Sequence, residues 1–310
     1  MGINIEKLKK SKSTEELLEF GIINIDKPQN PTSFDTSEFV MKKLGLRKTS
    51  HFGTLDPRVT GVLPIALNRA CKLTGYFIGE DKEYVGIMRM HEKVSMKKIQ
   101  KVIKDKFTGV IIQKPPVKSR VKRQEREREV KKFELLEVDK NEKDILFRAE
   151  VEGGTYIRKL IDDLGKELGT GAHMLELRRV RAGIFREDNE KNKYPSINLY
   201  DFEKAVEDYK EGNDKMLRDM IIPGEIISNI YPVVQIKKKP SEKILHGKPI
   251  FHEDLEKKQE KKNKIPTGET FAGFAKEDFL GMFKVVNQKN VFAKPRFVFQ
   301  PLTKKEKGKN

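Results

Sequence analysis

The chain has 310 residues, 36% of them hydrophobic and 36% charged, with a formal net charge of +17. That length is more than one ordinary core needs, so two domains are expected, and no apolar run approaches the ~20 residues of a membrane helix. The lone cysteine, Cys71, excludes an intramolecular disulfide and fits a cytoplasmic setting, while the basic excess favours a polyanion, nucleic acid first, or reflects a lysine-rich composition suited to heat or salt.

In chain order, residues 1–20 form a polar N-terminal extension with a short capped helix at Thr14–Leu18, and lack the apolar stretch of a secretory signal. Residues 21–28 read as a strand ending at Asp26-Lys27-Pro28. A helix follows, capped by Thr32 or Ser33, with Phe34, Val40, Met41 and Leu44 on its apolar side. The next stretch is His51-Phe52-Gly53-Thr54-Leu55-Asp56-Pro57-Arg58-Val59-Thr60-Gly61. Gly53 and Gly61 permit unusual backbone angles, and Pro57 pushes Asp56 out of the helical region. Locally this reads as an Asx-turn closing a strand, or as a loop that holds one carboxylate at a cleft.

Strands are expected over 61–67, 83–90 and 109–113, and helices over 68–77 and 94–107. Residues 114–132 carry nine basic and three acidic side chains, a net of +6. They are expected to form an exposed loop that closes over phosphates, with Lys114, Lys118, Arg120, Lys122 and Arg123 as the contacts, or a salt-bridged hairpin end. A hairpin follows over 133–151. Gly153-Gly154-Thr155 then turns into a helix that runs to Leu168, and 172–183 is extended and carries Arg178, Arg179 and Arg181. The five histidines show no metal-ligand spacing, so no metal is assigned. Residues 230–302 alternate short strand-like runs with turns, the pattern of a small β-barrel, and 303–310 form a charged tail.

Several of these segments resemble, in order and spacing, the motifs of the TruB/dyskerin family of RNA pseudouridine synthases. They are Asp26-Lys27-Pro28 with Pro31-Thr32-Ser33, Gly53-Thr54-Leu55-Asp56-Pro57, Lys82-Glu83-Tyr84, Gly154-Thr155-Tyr156-Ile157-Arg158, and Leu177-Arg178-Arg179 followed by Gly183. The resemblance implies an α+β fold. A mixed-sheet pseudouridine synthase catalytic domain would occupy 21–229, and a small β-barrel PUA-like RNA-binding domain 230–302. It implies that Asp56 is the catalytic carboxylate and Arg158 its ion-pair partner in a pocket that excludes water. Tyr84 would stack on the flipped base. Tyr156, Leu177 and His51 would line the substrate pocket, Arg178 and Arg179 would contact RNA, and Lys27, Pro28, Gly53 and Gly61 would shape the loop. The implied isomerisation involves no redox change, so no cofactor or metal is expected.

The direct run from Met90 into the helix after Val94, and the segment before the first strand, resemble the archaeal and eukaryotic branch. That branch implies a catalytic subunit of an H/ACA particle acting on rRNA or tRNA, with guide RNA, substrate RNA and small core proteins as partners. A stand-alone tRNA T-loop synthase and a non-catalytic RNA-binding assembly factor are the alternatives. Phe34 and Phe52 depart from the family pattern, and Phe52 is expected to alter an RNA contact.

Overall fold

The computed structural model describes residues 2–115, 122, 124–187, 194–256 and 265–300. The expected loop contacts Lys118, Arg120 and Arg123, residues 257–264 of the expected barrel and the tail lie outside them. In chain order the elements are α1 (Ile5–Ser11), α2 (Thr14–Glu19), β1 (Gly21–Lys27), α3 (Ser33–Lys43), β2 (Thr49–His51), β3 (Thr60–Leu67), a 3-10 turn and α4 (Thr74–Phe77). Next come β4 (Lys82–Met90), α5 (Met96–Lys106), β5 (Gly109–Gln113), β6 (Arg126–Val138), β7 (Asp144–Val151), α6 (Ile157–Leu168), β8 (Ala172–Ala182) and β9 (Phe185–Arg186). The chain continues with α7 (Leu199–Lys210), α8 (Lys215–Met220), β10 (Ile221–Pro223), β11 (Val233–Gln235), α9 (Lys238–Leu245), β12 (Ile250–Phe251), β13 (Thr270–Ala275), β14 (Asp278–Val285) and β15 (Val291–Val298).

Two compact units result: Thr14–Ile222, and Met1–Ser13 together with Pro223–Asn310. The first is built on a mixed sheet of order β10-β1-β3-β8-β4-β7-β6-β5, with β2 beside β3 and β9 beside β8. Its long ladders are antiparallel. Strands β3 and β8 run parallel and pair only at Thr60–Arg178 and Gly61–Arg179. That short seam joins β10-β1-β3 to the rest of the sheet. Helix α6 packs against β8. In α6, Ile157, Leu160, Ile161, Leu164 and Leu168 are buried at helical spacing. They share a core with Ile23, Leu63, Met88, Phe147 and Phe202.

Helix α3 starts as expected, with Thr32 and Asp35 forming a capping box. Its buried side, however, is Ser33, Thr36, Ser37 and Val40, and Phe34 is 66% exposed. The basic segment also differs from expectation. Residues 126–132 are strand, with 126–130 paired with β5, because the Arg126-Glu127-Arg128-Glu129-Val130 alternation suits a ladder at the sheet edge. Only 114–125 connect the two strands. Lys131 is paired with Asp81, and Arg128 lies 3.8 Å from Glu152.

The histidines are not all scattered. His91 and His173 meet across the β4–β8 edge with ring nitrogens 2.9 Å apart. The second unit holds a five-stranded sheet, β11-β13-β14-β15-β12, that forms a half-barrel around Val234, Ile244, Phe271 and Phe283. The N-terminal segment joins this unit, with Lys12 on buried Glu225 at 2.5 Å. No helix among the described residues is long and apolar enough to cross a membrane.

Candidate active site

The loop from His51 to Gly61 is fixed on both flanks of Asp56. Leu55 and Val59 are each 3% exposed and act as apolar posts in the core. The Ser33 hydroxyl accepts from the Leu55 amide at 2.8 Å and donates to the Leu55 carbonyl at 3.0 Å. The Pro57 carbonyl accepts from the Asn30 amide at 3.0 Å and from Lys27 Nζ at 3.1 Å. Lys27 is fully buried and also donates to the Pro28 carbonyl at 2.7 Å. Burial pulls its amine below the usual lysine range, and the charges of Asp35 and Asp56 oppose that.

Gly53 and Gly61 adopt φ of +96° and +102°. At Gly61 a Cβ would lie 2.2 Å from the Arg179 carbonyl, so no side chain fits there.

Arg158, in the first turn of α6, reaches Asp56 Oδ2 with one Nη at 2.7 Å. The pair is open to solvent, with side chains 60% and 46% exposed. The expectation of a pocket that excludes water therefore does not hold for the protein by itself, because the loop carries Asp56 at the rim rather than in a recess. Tyr156 caps α6 through its backbone. Its amide donates to Gln113 Oε1 at 3.0 Å and its carbonyl accepts from Nε2 at 3.2 Å. His51 ends β2 with Nε2 3.2 Å from the Thr54 hydroxyl.

Tyr84 and Leu177 are each 8% exposed. Leu177 is paired with Gly86 in the β4–β8 ladder. Asp56 and His51 thus lie on the loop and Arg158 on α6, whereas Tyr84 and Leu177 are buried in strands β4 and β8.

One expected RNA contact is corrected, and a second is already engaged within the protein. Arg179 is 1% exposed and cannot meet a phosphate from there. Its Nε donates to the Val62 carbonyl at 2.8 Å and an Nη donates to the Gly53 carbonyl at 3.2 Å. Arg178 grips Asp26 through two bonds of 3.0 and 2.8 Å and Glu187 through one of 2.6 Å, so two carboxylates already offset its charge. Alternation along β8 puts these neighbours on opposite faces, and both faces were occupied. Lys114 and Lys122 are exposed, as an RNA-facing role requires.

Phe52 is corrected as well. It is 1% exposed and packs on Phe77 and Phe185, so it supports the loop from inside rather than touching a ligand.

Sequence reasoning missed Lys82. It is 4% exposed, donates to the carbonyls of Ile78 and Glu80, and lies under Gly53. Burial, with Arg179 nearby, pulls its amine down to about 8. The signal was available: a period of two along Lys82-Glu83-Tyr84 sets Lys82 on the same face as Tyr84. A cavity of about 690 Å³ between Lys106, Val110, Ile112, Lys159 and Asp163 does not include Asp56.

Two family models match. One, described as the N-terminal domain of TruB family pseudouridylate synthase, covers residues 41–157. The other, described as the tRNA pseudouridylate synthase B C-terminal domain, covers 158–227. The chain is 38% identical over 292 residues to a "Probable tRNA pseudouridine synthase B" of Pyrococcus furiosus, covering 94% of this chain and 80% of that one. It is 43% identical over 238 residues to the protein of the same description in Methanocaldococcus jannaschii, covering 76% and 68%. Among solved structures it resembles a chain of a Cbf5-Nop10-Gar1 complex, with TM-score 0.83, 36% identity and coverage of 94% and 89%. It also resembles a chain of an H/ACA RNP bound to a substrate RNA containing 2'-deoxyuridine, with TM-score 0.81, 34% identity and coverage of 94% and 89%.

Proposed function

The chain belongs to the TruB family of pseudouridine synthases, and from that premise we propose that it isomerises uridine in RNA as the catalytic subunit of an H/ACA particle, with Asp56 as the reacting carboxylate. The observation that carries the assignment is the Asp56–Arg158 pair, held at the lip of a loop whose every flank is fastened. In the reaction the C1′–N1 bond breaks, the base turns over, and C1′ joins C5 while the C5 proton leaves and N1 gains one. A carboxylate at the sugar serves as nucleophile or base. A permanently charged guanidinium beside it complements the carboxylate's charge and fixes its orientation. The target nucleotide must leave its stack to reach this rim, and the RNA then supplies the cover that the exposed pair lacks.

The particle assignment draws support from whole-chain similarity, including the PUA-like half-barrel unit, to chains solved in complexes of that kind. Guide RNA, substrate RNA and small core proteins are the partners in this reading. The alternative is a stand-alone tRNA enzyme, favoured by the description of the curated relatives.

The test is incubation of the pure protein with transfer RNA and with a guide-paired substrate, with and without guide and small core proteins. Pseudouridine is mapped chemically. Product that requires the guide supports the particle, and product from tRNA alone supports the second reading. Asp56→Asn should give no product in any mixture while RNA binding survives. Normal turnover by that variant would remove Asp56 from the chemistry.

A further inference from the structure

Tyr84 and Arg179 are cross-strand partners in the β4–β8 ladder, at a point where the register shifts between Glu83 and Tyr84. As paired residues on one face of that ladder, the buried guanidinium of Arg179 and the Tyr84 hydroxyl attract one another. The same group holds the Gly53 carbonyl, where the Asp56 loop begins, and the Val62 carbonyl, where the following strand starts. The Arg179 backbone presses on Gly61 at the loop's exit. One planar fork of five N–H donors therefore meets the entry to the loop, the strand beyond it and the tyrosine.

A buried guanidinium is costly to leave unsatisfied, and this one is satisfied largely by these acceptors. If any of them moved, the others would have to follow. We infer that Arg179 is a positioning residue that couples the Tyr84 ring to the Asp56 loop, so that base and ribose are presented in one fixed geometry. This rests on the reading of Asp56 and Tyr84 above.

The experiment uses the full chain with its RNA substrate and three variants, Arg179→Lys, Tyr84→Phe and the double variant. Single-turnover pseudouridine formation, RNA affinity and thermal unfolding are measured for each. Arg179→Lys keeps a cation but loses the fork. It should slow the reaction by about 10²-fold, the cost of a misplacement near 1 Å, with RNA affinity unchanged. The double variant should lose no more than the worse single variant, because both remove the same link.

Losses that multiply, or a wild-type rate for Arg179→Lys, would overturn the coupling. A merely structural role would lower RNA affinity along with rate. Should Arg179→Lys not fold, Tyr84→Phe decides. Removing the hydroxyl strips an acceptor from the guanidinium and should lower the melting temperature by about 2–4 °C. An unchanged melting temperature means the hydroxyl is not held. That measurement stands whether or not Asp56→Asn is inactive, so failure of the catalytic reading and failure of this one are separable.

Discussion

Phe52 lies flat on Phe77, with ring centroids 4.5 Å apart and planes 6° from parallel. Phe185 closes on the same ring at 6.0 Å. The second residue of the candidate catalytic loop is thus a root in the core. Phe52→Ala should cost about 3–5 kcal/mol of unfolding free energy, the range for emptying a buried aromatic site. Phe34→Ala, at a position 66% exposed, should stay within about 0.5 kcal/mol. Urea titration of both variants checks the contrast; equal midpoints would show that the stack does not anchor the loop.

Arg158 separates stability from activity. Its pair with Asp56 is exposed, so Arg158→Lys should change stability by less than about 1 kcal/mol. Turnover should nonetheless fall by about 10²-fold, since lysine does not reproduce the planar fork. Calorimetry beside a single-turnover assay reads both, and a stability loss as large as the activity loss would contradict the geometry.

Lys82 makes a pH prediction. Its amine titrates near 8 in the folded chain against 10.5 in the ordinary state, because burial opposes the charge. Below pH 8 both states hold the proton and the burial cost is constant. Between about 8 and 10.5 the unfolded chain binds more protons at this site, so stability rises with pH, by up to about 3 kcal/mol. Measured from pH 7.5 to 10, the wild type should gain on Lys82→Met. A gap that stays flat over that window would mean the amine titrates normally.

RNA affinity should fall along a straight line on a log–log plot against salt. Lys114 and Lys122 are exposed on the β5–β6 connection, and replacing either by alanine should reduce the slope by about 1. Filter binding between 50 and 300 mM salt, both approximate bounds, gives the slopes. Slopes identical to wild type would take these lysines off the phosphates.

Much of the fold was legible because period and punctuation agreed. Strand β13 falls among the short strand-like runs expected over 230–302, and α6 ends at Leu168 before a left-handed Gly169. What the residue string hid was direction. Phe34 and Phe52 looked alike as departures near a cleft, yet one faces water and the other the core. Helix register settles the first: Ser33, Thr36, Ser37 and Val40 share a side that excludes Phe34. Arg178 and Arg179 read as one basic pair until the sheet divided them. Which carboxylates and carbonyls await each depends on strands β1 and β3, far away in sequence. The Asp56–Arg158 distance was of the same kind. Motif order suggested the pair, but only the packing of α6 on the sheet brings it together.

The parallel seam between β3 and β8 has a kinetic consequence. Asp56 approaches it from the β3 side, while Tyr84, Arg158 and Leu177 belong to the far side. Only two residue pairs close the junction, and its partners are more than a hundred positions apart along the chain. Loop-closure entropy makes such contacts late, after the local hairpins have formed. During refolding, hairpin structure should therefore return before catalytic competence, and regained turnover would time the closing of that single seam.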